Sequence, residues 1–321
     1  MPDDPTQDST MPDTSSDNGS AASMSSADSG SAAAPTMAPV PSSGASSADS
    51  ASPDPSSDAN QDGSTSADAS SPTASQTDTA TAISQITALA AQSDIAAFRW
   101  ADRGRAPAGY IKGMAVVYAR VYLKLGAGDA AAAEMAKADT GDGSHDALSW
   151  FSDVFQNAGM DNSTGGTDTL RHLFVLLTGL GMRESSGKYC EGRDTSASNM
   201  TADTAEAGLF QTSFNARSAN PLMPQLFQQY AGATDFVDIF KEGVSCSSAN
   251  LANFGSGDGA EFQRLSKACP AFAAEFAAVG LRNIRKHWGP INMKKAEVRQ
   301  ECDDLFQQVQ NCVDQLQITA I

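Results

Sequence analysis

The chain has 321 residues, with 38 acidic against 21 basic side chains and a net charge of −17. No basic patch or stripe interrupts that balance, which argues against a nucleic-acid-binding role. The most hydrophobic window, "LFVLLTGLGM", is too short to span a bilayer. The charge is uneven: residues 1–80 hold 12 Asp and no Lys, Arg or Glu, leaving 26 acidic against 21 basic residues beyond. Met and Val40 are the only bulky apolar residues of this Ser/Ala/Asp/Pro-rich segment. It cannot bury enough apolar surface to offset ordering entropy, so the composition predicts a disordered tail over 1–80 and one compact domain over 81–321.

Apolar spacing predicts helices over 82–100, 110–126, 129–139 and 145–159, separated by the Gly- and Pro-bearing "ADRGRAPAGY" and by "TGDGS". The segment "NSTGGTDTLRHLFVLLTGLGMRESS" predicts a buried helix over 168–183, with Thr167 or Asp168 as N-cap. Residues 187–210 carry no strong helical pattern and are expected as a small sheet or an ordered loop. Further helices are expected over 221–231, 233–241, 258–277 and 293–315. The predicted class is mainly α (α+β), with one short hairpin's worth of β structure. All five Cys (190, 246, 269, 302 and 312) fall in the folded part, enough for two disulfides and one thiol. None has zinc-like spacing, so no metal is expected. "ADTGDGSHD" lacks the ligand order of a calcium loop and reads as a linking turn, and "NFGSGDGAE" follows no strand and is not a phosphate loop.

The chemistry concentrates around Glu184, where the apolar helix ends. The negative end of the helix dipole and apolar neighbours both disfavour ionisation there. A carboxyl that keeps its proton near neutral pH suits protonation of a glycosidic leaving oxygen. The small residues of "SSGKYCEGRD" then leave room for a bulky substrate. The competing structural role is a surface Glu paired with Arg183 or Lys188.

"RESSGKY" followed by "AGLFQTS" resembles the paired motifs of lysozyme-fold enzymes, the goose-type lysozymes and lytic transglycosylases. Glu184-Ser185 matches the first motif, and Gly208-Leu209-Phe210-Gln211 the second, with Phe in place of Met. The resemblance covers about thirty residues. It implies a lysozyme-like domain with a small β region between the motifs, Glu184 as catalytic acid, and Ser185, Gly208 and Gln211 along a sugar cleft. The goose-type pattern has an Asp two places after the second motif, where this chain has Ser213. Glu206 or Asp194 would therefore supply a water-positioning carboxylate, and Glu206 is favoured because it abuts the second motif. Without such a base, the substrate's acetamido group would assist and leave an anhydro product. The competing role of Glu206 is pairing with Arg193 or Arg217, and Asp194 readily caps a turn.

Tyr189 and Trp288 are candidates for stacking on sugar rings, with core packing the competing role for Trp288. His145, His172 and His287 have no nucleophile setting that would make a triad. The expected activity is a glycosidase, muramidase or lytic transglycosylase, acting on peptidoglycan or a related N-acetyl sugar polymer without a cofactor. A chitinase on the same fold and a non-catalytic glycan-binding protein are the alternatives. The tail ahead of a Cys-bearing domain suggests a secreted, periplasmic or surface protein, although "MPDDPTQDST" is not a secretory signal.

Overall fold

A computed structural model describes residues 74–195 and 201–321. The chain divides at Ser66/Ala67, and every described residue lies in the second unit. Residues 1–73 of the expected tail lie outside the described residues. Helix α1 spans Ala74–Gln92, across the expected boundary at residue 80.

The helix expected over 82–100 stops at Gln92. One turn follows as α2 (Asp94–Ala97), and the chain then extends. Arg99–Trp100 (β1) pairs antiparallel with Gly104–Arg105 (β2), placing Arg99 opposite Arg105 and Trp100 opposite Gly104. Asp102 and Gly104 close the turn at φ 58° and 73°. Phe98 and Trp100 meet edge to face with centroids 5.3 Å apart, which anchors this hairpin to the core.

Helix α3 spans Ala108–Gly126, begins just after Pro107 and is buried along most of its length. Helix α4 covers only Ala130–Met135, started by the Asp129 carboxylate accepting from the Ala132 N–H at 2.9 Å. It ends before the expected residue 139 because the next carbonyls are taken elsewhere. Ala136 O accepts from the Gly166 N–H, and Lys137 O and Ala138 O accept from Arg282. The expected 145–159 helix is two pieces, α5 (Ala147–Trp150) and α6 (Ser152–Asn157), joined at buried Phe151.

Helix α7 (Thr167–Ser185) is buried from Thr169 to Met182 and packs against α3, α4 and the later helices α12 to α14. Gly166 is its N-cap, in place of the expected Thr167 or Asp168, and Asp168 instead pairs with Arg171 at 2.6 Å. The remaining helices are α8 (Leu222–Gln229), α9 (Val237–Phe240), α10 (Ser248–Leu251), α11 (Asp258–Ala268), α12 (Pro270–Asn283), α13 (Gly289–Asn292) and α14 (Gln300–Leu316). Short 3-10 turns lie at Phe214–Ala219 and Arg285–His287. The helix expected over 258–277 is split at Cys269–Pro270, because Pro lacks an N–H and is suited to the first turn of α12.

Of the two expectations for 187–210, a small sheet or an ordered loop, the described residues follow the second. Among the described residues of 187–210 no strand forms, and only an isolated bridge joins Ala207 to Thr212. Residues 196–200 of this loop lie outside the described residues. Of the two disulfides that five cysteines permit, one forms, Cys190–Cys246, which ties the loop after α7 to the segment before α10. Cys269, Cys302 and Cys312 are free and buried. Among the described residues, no helix is long and apolar enough to cross a membrane.

Candidate active site

Glu184 occupies the last turn of α7. The helix stops directly after it: Ser186 is left-handed at φ 55°, and the Gly187 N–H reaches back to Gly181 O at 3.2 Å. Facing this end is the β1–β2 hairpin. Arg103 Nη2 donates to Arg183 O at 2.6 Å, and Arg183 Nη1 donates to Ala101 O at 2.7 Å. Glu297 accepts from the Ala101 N–H at 2.8 Å, and Asp102 lies 3.7 Å from Arg183. The hairpin is thus fastened to the helix end that carries the candidate acid.

The second motif is registered on the same helix. Phe210 packs where α7 has Gly181, and any side chain at Gly181 would run into it and into the Tyr110 hydroxyl. The Trp288 indole N–H donates to Phe210 O at 2.8 Å, and the Gly208 N–H donates to Glu191 O at 2.9 Å. Gly208 takes φ 76°, and a Cβ there would sit 2.7 Å from Ser266 O. Gly208→Ala is therefore expected to cost about 1–3 kcal/mol, read as a lower urea midpoint of the full chain. An unchanged midpoint would show that this turn relaxes freely.

Glu184 and Glu206 are each half-buried, and among the described residues neither makes an ion pair or hydrogen bond. Burial pushes the Glu184 carboxyl up to about 8, the charge of Glu206 adds to the rise, and Arg103 opposes it. Burial also raises Glu206, reinforced by the charge of Asp194. The charge of exposed Asp194 thus acts on Glu206, and that of Glu206 on Glu184. Among the described residues, neither Glu184 nor Glu206 forms the competing salt bridges. Arg183 lies by Asp102, Lys188 by Glu191 and Arg217 by Asp203, while the Arg193 guanidinium lies over the Phe254 ring.

The expected sugar-contact residues are placed differently. Trp288 is 1% exposed and Tyr189 8%, so neither presents a ring face for stacking in this conformation. Trp288 acts beneath the second motif, through Phe210 O. Ser185 is buried and donates to Gly181 O of its own helix at 3.0 Å. Gln211, at φ 44°, donates from Nε2 to Gly208 O at 3.1 Å, and Ser213 donates to Asn215 Oδ1 at 2.6 Å. These side chains shape the turn. Gly208, at its start, lets the backbone approach α11.

Sequence reasoning missed Arg103, although "RWADRGR" carries a turn signal in its Asp and Gly. Three cavities, of about 340, 410 and 400 Å³, lie along α3 and the chain's end, between α1 and α14, and between α3 and the start of α7. None of these three is lined by Glu184, Glu206 or Asp194. Among the described residues no group of three or more His, Cys, Asp or Glu is placed to hold a metal ion. In comparisons with known proteins, the chain matches no family model, no curated protein and no solved structure.

Proposed function

We propose that the chain folds as a lysozyme-like domain and cleaves β-1,4 links of peptidoglycan outside the cytoplasm, with Glu184 as the general acid. The observation that carries this reading is the pair Glu184 and Glu206: two half-buried carboxyls with no ion-pair or hydrogen-bond partner among the described residues, raised by burial and by acidic neighbours, at a helix end beside a tight Gly-Leu-Phe-Gln turn. Such an arrangement is costly to fold and useful to chemistry. Ionised Glu206 keeps the proton on Glu184. Glu184 then donates it to the glycosidic oxygen as the bond to the anomeric carbon breaks. Glu206 takes a proton from the water that attacks that carbon, which is the inverting arrangement. Glu206 is preferred over Asp194 as base because its charge is the one that acts on Glu184.

The test is digestion of purified peptidoglycan by the full chain, with products identified by mass. Muropeptides with hydrated reducing ends support Glu206 as base, and anhydro ends assign that step to the substrate's acetamido group. Release from chitin oligomers alone moves the substrate to chitin. Binding to either glycan without any release leaves a glycan-binding protein.

The pH profile gives an independent check. The rate is expected to fall as pH rises through about 8, where Glu184 loses its proton. Glu206→Gln removes the proposed base as well as the negative charge that raises Glu184, so the rate falls and the basic limb of what remains moves to lower pH. Arg103→Gln removes the opposing positive charge and moves it to higher pH. Limbs in kcat/KM that stay put in both variants would detach Glu184 from the titration.

A further inference from the structure

We propose that Arg99, Arg103 and Arg105 form an anion-recognising rim beside Glu184, which selects carboxylate-bearing glycan strands over uncharged ones. The inference rests on the glycosidase reading for the identity of the site and names the feature of the substrate that the site selects.

The seven residues "RWADRGR" place three arginines on one small hairpin. All three are exposed. Arg99 and Arg105 are direct cross-strand partners, an arrangement in which like charges repel and weaken the pairing. Among the described residues none of the three makes an ion pair, and Arg103 is held only through Arg183 O. The nearby acids are already engaged, Asp102 with Arg183 and Glu297 with the Ala101 N–H. Arg103 fastens the hairpin through Arg183 O, whereas the facing Arg99 and Arg105 make no ion pair among the described residues and weaken a two-residue strand pair. The hairpin is also rigidly placed, through the reciprocal Arg103–Arg183 and Arg183–Ala101 hydrogen bonds. Arg103 reaches the helix end that bears the acid through Arg183 O, and Arg99 and Arg105 share its hairpin.

A guanidinium prefers planar oxyanions, and a carboxylate accepts two of its N–H groups side by side. Peptidoglycan carries such groups on its stem peptides and unsubstituted lactyl ethers. Chitin carries none. A chain with net charge −17 would otherwise be repelled by an anionic wall. A local cationic rim overcomes that repulsion at the one surface where the glycan must lie.

The experiment uses the full chain carrying Glu184→Gln, so that substrate is not consumed, and reads binding to purified peptidoglycan at low and high salt. The same peptidoglycan with its carboxylates amidated is the second probe. Affinity is expected to fall roughly tenfold on amidation and by a similar factor in Arg99→Gln/Arg105→Gln, with little further loss when both changes are combined. Arg99→Lys/Arg105→Lys is expected to recover part of the affinity. Because the two arginines repel each other, the Gln pair should not lower the unfolding midpoint. If it does, the amidation arm, which needs no variant on the hairpin, decides alone. Equal binding to native and amidated peptidoglycan, or no binding to either, overturns the proposal. Release of muropeptides by the wild type together with such equal binding keeps the glycosidase reading and removes the rim. Carboxylate-dependent binding without any release by wild type keeps the rim and removes the reading.

Discussion

Glu184→Gln is expected to lower turnover of peptidoglycan by about 10²–10⁴-fold and to raise stability above mildly acidic pH. The first effect follows, on the proposed glycosidase reading, from losing the proton donor while shape is kept. The second follows from linkage. The Glu184 carboxyl is raised from an ordinary 4.5 to about 8 in the fold, chiefly by burial and then by Glu206. Below 4.5 both folded and unfolded chains hold the proton, and the site costs nothing on this account. Between 4.5 and 8 the unfolded chain ionises while the folded one does not, so stability declines as pH rises through that window. Above 8 the full penalty applies. Gln cannot ionise, so the variant should gain over wild type progressively, to about 1–3 kcal/mol, a figure discounted for the carboxyl's residual contact with water. Urea midpoints of both proteins at acidic and mildly alkaline pH read the difference. A variant that loses activity but shows the same stability as wild type at every pH would mean that Glu184 is not held protonated by its surroundings. A variant that keeps its activity would remove Glu184 from the chemistry.

The parts of this site that were legible in the sequence are those set by local pattern. Leu170, Leu173, Phe174, Leu177 and Leu180 recur at helical spacing, and all are buried on α7. The abrupt change to small polar residues marked where that helix stops, which put Glu184 at its end. Glu206 was legible as a neighbour of the second motif. The hairpin was not, because Phe98 and Trp100 continue the apolar spacing of the preceding helix, and two-residue strands carry no alternation to detect. Trp288 was read as a possible stacking face because exposure is a tertiary property. Its burial depends on Gly280 of α12, where a Cβ would sit 2.7 Å from the indole ring. Cysteine pairing was likewise hidden, since Cys190 and Cys246 lie 56 residues apart and meet only through folding. Pro270 was the one visible break that went unused: it divides an otherwise continuous apolar pattern into α11 and α12.

Arg282→Met is expected to destabilise the domain by about 3–5 kcal/mol, as removal of one partner of a buried pair does. Arg282 lies near the end of α12, almost fully buried, with both Asp146 oxygens at 2.9 Å. Its other N–H groups reach Met135 O, Lys137 O and Ala138 O at 3.0, 2.6 and 2.8 Å. One side chain therefore satisfies the open end of α4 and holds the 139–146 turn against α12. Asp146 in turn starts α5, accepting from the Leu148 N–H at 3.0 Å. Met fills the same volume but leaves a buried carboxylate and three carbonyls without their donor, and the carboxylate dominates the cost. The pair itself has a smaller net value, because both charges were taken out of water to form it. Arg282→Met/Asp146→Asn should consequently be less destabilised than the sum of the single changes, with a coupling of about 1–3 kcal/mol. Urea unfolding of the two single variants and the double variant measures it. Additive losses would show that the carboxylate finds solvent once the guanidinium is gone, and that α4 and α12 are held by their apolar packing alone. The chain from Arg282 continues through Arg285–His287 to Trp288, whose indole N–H supports Phe210 O. If the clamp matters as argued, Arg282→Met assayed below its unfolding transition should lose activity as well, because the turn beside Glu184 is supported from this end of α12.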